Sequence, residues 1–448
     1  MTSKRFWFKQ QVNDRPEIAQ RPADLRDSDL PDSGSGSPCF VRVWAVFGMF
    51  LFATTWKLWT SQSLYPQVPV FESMANAPAF IDWVAFAPIV LSLIWIAIKP
   101  QCNGAWSRWP IAVFASSLLL SFLLDQHRLQ PWAWHWFVFA GILALARRGD
   151  AMLWFRWIVV SVYVYSAISK LDYQFAHSVG LQMVQAIAGL VGVSLLEYSP
   201  DLLSRFVLLL PLAELVTGIG LAFVATRRLC GWLAILLHVG LLLALGPLGL
   251  NHQSPVLIWN AFFIFQTYWL FVRTEPCEHS VQTNLMGGWS AAAFALAVIL
   301  FPITCSFGGC DHWLAWELYA PRSSRVSIEL PVTAVEQLPY PARTYTLESP
   351  QLPGVVELDL SEWSLSELGV PVYPQSRFQL GVARAVRNQM SNDRLLRVTI
   401  KSRSDRRTGE RVNQLLRGTR EFEEQASGFW LNSAPRTANP TDEHPLAQ

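Results

Sequence analysis

Nine apolar runs, each near the length of a bilayer's hydrocarbon core, constrain this chain more than any other feature. They lie at Val43 to Thr60, Phe80 to Ile98, Pro110 to Leu124, Trp132 to Ala146, Met152 to Ser169, Leu202 to Val224, Gly231 to Leu248, Pro255 to Val272 and Trp289 to Thr304. Roughly 20 apolar residues span the core as a helix, and an isolated strand or loop there would leave its backbone N–H and C=O groups unpaired. The runs therefore predict an all-α polytopic membrane bundle of about nine transmembrane helices. Composition agrees, with 52% hydrophobic residues, 15% charged, 21 Trp and 27 Phe, since soluble domains carry about 25% charged residues. A formal net charge of +2 offers nothing to a nucleic acid.

Basic residues alternate between the linkers. Lys4, Arg5, Lys9, Arg15, Arg21, Arg26 and Arg42, then Lys99 and Arg108, then Arg147, Arg148 and Arg156, then Arg227 and Arg228, then Arg273 fall on one side, whereas the opposite linkers carry Arg128 and Lys170. The positive-inside rule then puts the amino terminus in the cytoplasm, and an odd number of crossings puts the carboxy-terminal domain outside, in a periplasm or its equivalent. Residues 1–41 read as a disordered cytoplasmic segment without a cleavable signal, 42–305 as the helical domain, 306–433 as a small external α+β domain and 434–448 as a disordered tail. Within the external domain, Arg325 to Leu330 and Leu396 to Ile400 read as strands, and Pro374 to Met390 and Gly409 to Phe429 as amphipathic helices. A further short amphipathic helix is expected near Leu181 to Leu190.

Cysteine placement follows this topology. Cys39, Cys102, Cys230 and Cys277 map to the cytoplasmic side, while Cys305 and Cys310 lie outside in Cys-Ser-Phe-Gly-Gly-Cys, where a disulfide clamp is favoured over a redox pair or a metal site. No four-ligand metal pattern, nucleotide motif or phosphate motif is present.

Ionisable residues in or beside apolar helices are costly and raise functional suspicion. Lys57, Asp125, His127, Arg128, Lys170, Asp172, His177, Asn251 and His252 all fall toward one end of the predicted bundle, with Glu214 and His238 deeper. Lys170 ends an apolar helix in Ser-Lys-Leu-Asp, where a desolvated amine becomes a base or nucleophile; the competing reading is an interfacial lysine that snorkels. A contact of Glu214 with Lys170 or with His238 would offset the burial of either. Asp125, His127 and Arg128 also fit an interfacial turn capping two helices, and Asn260 and Gln266 fit helix-to-helix hydrogen bonds.

Tyr163-Val-Tyr-Ser-Ala-Ile-Ser-Lys-Leu-Asp172, the lone histidine His238 and Trp316-Glu-Leu-Tyr-Ala-Pro-Arg322 resemble the vitamin K-dependent γ-carboxylase-like (HTTM) family, which has many bacterial members. Val160 to Leu248, with Leu210-Pro-Leu-Ala-Glu-Leu-Val-Thr-Gly218, is similar to the redox-associated MauE and DoxX membrane proteins. The first resemblance implies a quinone-dependent enzyme of a bacterial inner membrane in which Lys170 deprotonates a reduced vitamin K-like quinone. Under it, Lys170, His238, Glu214 and His127 become catalytic candidates, and Asp172, Arg128 and His252 contact the quinone. The second implies a non-catalytic redox subunit serving an external protein partner, although its cysteine motif is replaced here by Gly246-Pro-Leu-Gly-Leu-Asn-His252. A transporter or scaffold with purely structural charges is the third possibility, and the halves show no repeat.

Overall fold

The computed structural model describes residues 36–99, 108–146, 150–195, 197–273, 289–307, 310–349, 352–390, 392, 395–416 and 418–437. The expectations for residues 1–35, Cys102, Cys277, Arg147, Arg148 and residues 438–448 lie outside them. The chain is mostly helical, with one small antiparallel sheet.

The helices in order are α1 (Gly36–Thr54), α2 (Phe80–Ile98), α3 (Arg108–Leu124), α4 (Pro131–Leu145), α5 (Asp150–Lys170), α6 (Tyr173–His177), α7 (Val179–Leu190), α8 (Pro200–Val207), α9 (Leu209–Ala222), α10 (Arg227–Leu245), α11 (Ser254–Thr267) and α12 (Trp289–Leu300). Five helical stretches are long and apolar enough to cross a membrane: Phe80–Ile98, Asp150–Lys170, Pro200–Ala222, Arg227–Leu245 and Ser254–Val272. Pro38–Thr54, Arg108–Leu124, Pro131–Leu145 and Trp289–Cys305 are apolar but shorter. All nine apolar runs are thus helical, and five reach spanning length. Leu209, Leu212, Val216, Leu233 and Leu236 are exposed on α9 and α10, a surface suited to hydrocarbon rather than water.

Aromatic rings fill the bundle centre, where Phe40, Phe139, Phe155 and Phe262 are buried and in ring contact. α5 packs against α9, and α10 against α11. The continuous run from Pro200 breaks at Leu208. Pro211, lacking an N–H, cannot donate to the carbonyl of Val207 four residues back, which explains an interruption there.

The soluble part is built on a sheet of order β2-β3-β1-β4-β5, comprising β1 (Arg325–Pro331), β2 (Thr346–Glu348), β3 (Val355–Leu358), β4 (Arg397–Lys401) and β5 (Asn413–Leu416). All pairings are antiparallel, with Ile328 opposite Val398 and Glu329 opposite Glu357. Val326, Ile328 and Leu330 alternate inward, as a one-sided sheet requires. Helices α13 (Leu360–Leu368), α14 (Ser376–Gln389) and α15 (Gly418–Ser427) complete it; Gln379 on α14 accepts the Val326 N–H at 2.7 Å. The expected helix from Gly409 is corrected: Gly409 and Gly418 have φ of +74° and +78°, the stretch between them carries strand β5, and only Gly418 to Ser427 is helical.

This domain sits on one end of the bundle and shares its hydrophobic core. Loop residues between α1 and α2, between α3 and α4 and after α5 all bond to it: Asn432 N–H to Val70 O (3.1 Å), Gln126 Nε2 to Asn432 O (2.7 Å) and Tyr173 N–H to Arg406 O (2.8 Å). The tail expected to be disordered from 434 is ordered through Thr437. Arg436 donates to Asp82, Gln67, Ala77 O and Pro78 O, and these bonds hold the chain end to the start of α2.

Candidate functional site

Lys170 ends α5 because the chain turns sharply there: Asp172 N–H bonds to Lys170 O (2.9 Å), and the Asp172 carboxylate caps α6 through the Phe175 N–H (2.7 Å). Side chains at i and i+4 share a helix face, so Lys170 Nζ donates to Ser166 Oγ at 2.6 Å. It also donates to Glu214 Oε2 at 2.6 Å. Glu214 stands one turn beyond Pro211 on α9, and both charged side chains are largely buried, at 10% and 13% exposure. The contact of Lys170 with Glu214, rather than of His238 with Glu214, is the one formed.

The pair borders a half-open cavity of about 650 Å³ lined by Phe175, Met183, Leu209, Leu237 and Tyr319 among other residues, nearly all apolar. Several lining residues, including Leu209, Val216 and Leu236, are exposed, so the opening faces sideways, where lipid would lie. Gly240 forms part of the wall, and a β-carbon added there would meet nothing within 4 Å.

Beneath the pair runs a second polar group. His238 Nδ1 donates to Asn260 Oδ1 (2.8 Å), which leaves Nε2 to accept from Tyr163 OH (2.7 Å); Thr267 Oγ1 lies 3.5 Å from the same hydroxyl. Asn260 Nδ2 bonds to Val256 O at 2.8 Å. Both ring nitrogens of His238 are occupied, and its ring stacks on Phe263 at 4.6 Å. The residue is a satisfied core histidine outside the cavity lining, although the charge of Lys170 reaches it and that of Glu214 reaches Tyr163. Asn260 ties α10 to α11 as expected. Gln266 does not act as such a tie: both its amide atoms are buried without a hydrogen-bond partner among the described residues.

The other sequence candidates lie elsewhere. His127 is fully buried against the soluble domain, its Nε2 3.1 Å from both Pro371 O and Ser364 Oγ. Burial pushes its imidazole down to about 3, which leaves it neutral near pH 7. Arg128 donates to Asp82 Oδ1 (2.7 Å) and Leu58 O (2.9 Å), and Asp82 Oδ2 also accepts from Arg436 (2.7 Å). Both residues belong to the seam that fastens the soluble domain, away from the cavity lining. The turn reading of Asp125, His127 and Arg128 therefore describes them better than a catalytic or quinone-contacting role.

His252 sits nearer. Its ring is parallel to that of Tyr319, with centroids 6.3 Å apart. Asn251, Trp316 and Tyr319 all have positive φ, of 50°, 60° and 53°. Left-handed backbone at three non-glycine residues is uncommon and concentrates at functional sites. Burial raises the Tyr319 phenol and lowers the His252 imidazole, so both remain neutral near pH 7. Asp172 is 5% exposed and its Oδ2 has no partner among the described residues; burial lifts its carboxyl above the usual range, against the pull of Arg322 and Arg406.

Cys305 and Cys310 are disulfide-bonded at the point where the last apolar helix gives way to the soluble domain. Among the described residues no group of three or more His, Cys, Asp or Glu side chains is arranged to hold a metal.

Sequence reasoning did not single out Tyr319, Tyr163 or Gly240 as site residues, although Tyr163 and Tyr319 stand inside the two quoted motifs. Tyr163 was legible, since it stands seven residues before Lys170 and therefore on the same helix face. Tyr319 and Gly240 reach the cavity through long-range packing, and no local pattern shows that they line it. No family model, curated protein or solved structure matches the chain.

Proposed function

We propose that this protein is a polytopic membrane enzyme of the vitamin K-dependent carboxylase-like (HTTM) kind, which binds a lipid-soluble hydroquinone in the lateral cavity. The reading takes all nine apolar helices as crossings, the amino terminus as cytoplasmic and the soluble domain as external in a bacterial inner membrane. The observation that carries it is the Lys170–Glu214 pair at the edge of an otherwise apolar, sideways-opening space. About 650 Å³ lies within the range of small-molecule sites, ~300–1,000 Å³, and an apolar wall with one polar cluster suits a quinone ring on a hydrocarbon tail.

A bound hydroquinone supplies an acidic hydroxyl and an oxidisable ring. The pair takes the hydroxyl proton as a unit: the carboxylate of Glu214 provides the free acceptor, and the ammonium of Lys170 stays beside the oxygen that has lost its proton. Ser166 orients the ammonium. The surrounding leucines exclude water, which strengthens each electrostatic contact.

The test is binding of a short-chain 1,4-naphthoquinone, oxidised and dithionite-reduced, to detergent-purified protein. Wild type should bind one molecule per chain. Gly240→Leu projects a side chain into the open wall and should weaken binding about tenfold or more, and it should not lower the unfolding midpoint, because leucine is the better helix former by roughly 0.8 kcal/mol. Lys170→Met should abolish the preference for the reduced form. Equal binding by all three proteins would overturn the cavity assignment. Absence of binding by wild type would leave the redox-subunit reading in its place.

A further inference from the structure

The turn between β4 and β5 carries arginines onto the end of α5. Tyr173 N–H donates to Arg406 O (2.8 Å), Gln174 Nε2 to Gly409 O (2.9 Å), and Arg406 Nη1 reaches toward Ile168 O (3.5 Å). Gly409 is required at this docking point: its φ is +74°, and a β-carbon would lie 2.4 Å from Tyr173 Cδ1. Arg322 arrives from the other side, three residues beyond the cavity residue Tyr319, and donates to Ser404 O (3.3 Å). Arg411 donates to Ser323 O, Ser402 O and Pro321 O.

These guanidiniums outnumber their counter-charges. Arg322, Arg325, Arg403, Arg406 and Arg411 are close enough to act on one another or on the same carboxylates, which are Asp172, Glu317 and Asp405. Glu317 is already taken by His312 and by Arg403 (2.7 and 2.9 Å), and Asp405 folds back on the N–H groups of Arg407 and Thr408. Arg322 and Arg411 satisfy themselves with backbone carbonyls, and the Nε atoms of Arg322, Arg403 and Arg411 are buried without a partner among the described residues. Burial and then mutual repulsion hold Arg322 and Arg411 down to about 10, a cost that a bound anion would remove.

The collar stands at the end of α5, one of the helices of spanning length, and so at headgroup level in the bilayer. The exposed leucines of α9 and α10 lie on the adjoining cavity face. We infer that Arg322, Arg406 and Arg411 form a binding site for the phosphate of an anionic membrane lipid whose chains lie along the open side of the cavity. Arginine forks match phosphate oxygens geometrically, and a phosphodiester at this level supplies the negative charge that the three carboxylates leave short, with the exposed Arg406 as its most accessible partner.

The experiment is native mass spectrometry of detergent-purified full-length protein exposed to an equimolar mixture of phosphatidylglycerol and phosphatidylcholine. Wild type should retain phosphatidylglycerol about tenfold over phosphatidylcholine. Arg406→Gln should cut that preference about fivefold, as expected for one surface arginine, and Arg406→Lys should keep most of it. Arg406 is exposed, so this substitution leaves folding intact; Arg322→Gln should act in the same direction, and circular dichroism reports whether it folds. Millimolar inorganic phosphate should not displace the lipid. Equal retention of the two lipids, displacement by inorganic phosphate, or an unchanged preference in Arg406→Gln would each overturn the assignment. No quinone is present in this measurement, so its failure and that of the cavity reading are separate results.

Discussion

Removing one member of the Lys170–Glu214 pair should cost more than removing both. At 2.6 Å and an effective dielectric constant of about 20, the gross attraction is about 6 kcal/mol. That figure is no net stability, because both groups also gave up water. In Glu214→Leu the attraction vanishes while the Lys170 ammonium stays desolvated with only Ser166 as a polar partner, so about 3–5 kcal/mol should be lost. Lys170→Met strands the carboxylate and should cost a similar amount. The double variant strands nothing and fills the space with apolar atoms, so it should lie within about 1 kcal/mol of wild type. The assay is reversible unfolding in mixed micelles by detergent titration, run as a double-mutant cycle. Single variants within about 0.5 kcal/mol of wild type, or additive costs in the double variant, would refute a buried and mutually dependent pair, and with it the proposed base.

Asp82→Ala leaves Arg128 and Arg436 buried without their shared carboxylate, so a loss of about 3–5 kcal/mol is expected, with the chain end near Arg436 becoming open to trypsin before global unfolding; protection equal to wild type would count against the seam. The pH response of the same loop has two opposing parts. Burial holds His127 down to about 3, so acidification below about 6.5 protonates the unfolded chain first, and stability through this residue falls as pH falls. Burial lifts Asp125 to about 6, so between about 6 and 4 the native state takes the proton first, and stability through this residue rises as pH falls. Asp125→Asn, which preserves the acceptor for Val68 and His127, should therefore steepen acid destabilisation between pH 4 and 6 by about 1.4 kcal/mol per pH unit, and His127→Asn should flatten it by the same amount. Unfolding midpoints measured from pH 4 to 8 decide this, and identical slopes in all three proteins would refute the signs.

Much of the bundle was legible because hydropathy acts locally. All nine apolar runs carry helix, since a segment that must enter hydrocarbon has to satisfy its own backbone, although the first is shifted to Gly36–Thr54 and the sixth is broken at Leu208. Strands at Arg325–Pro331 and Arg397–Lys401 followed from alternation, and the disulfide from two cysteines near the last apolar helix. The β5 hairpin was misread as helix because an amphipathic polar stretch satisfies either period until glycines at positive φ break it. His127 and Arg128 carried two readings for a related reason: a buried polar residue in a membrane protein signals a partner, and the sequence pattern is the same whether that partner is a ligand or, as the structure places them, Pro371 and Asp82.

The sequence by itself determined that this chain builds an apolar helical bundle with a small mixed domain after it, and that Lys170 and Glu214 would need counter-charges. Both follow from transfer free energies, which depend on each segment's own side chains. Only the tertiary structure decided that the two residues meet each other, that the meeting borders a cavity, and that Gly240, Tyr319 and an arginine collar, all far from Lys170 in sequence, converge on the same end. A helix rotates its side chains by about 100° per residue, so which neighbour a charged residue faces is set by packing between distant segments, and no local pattern records that rotation.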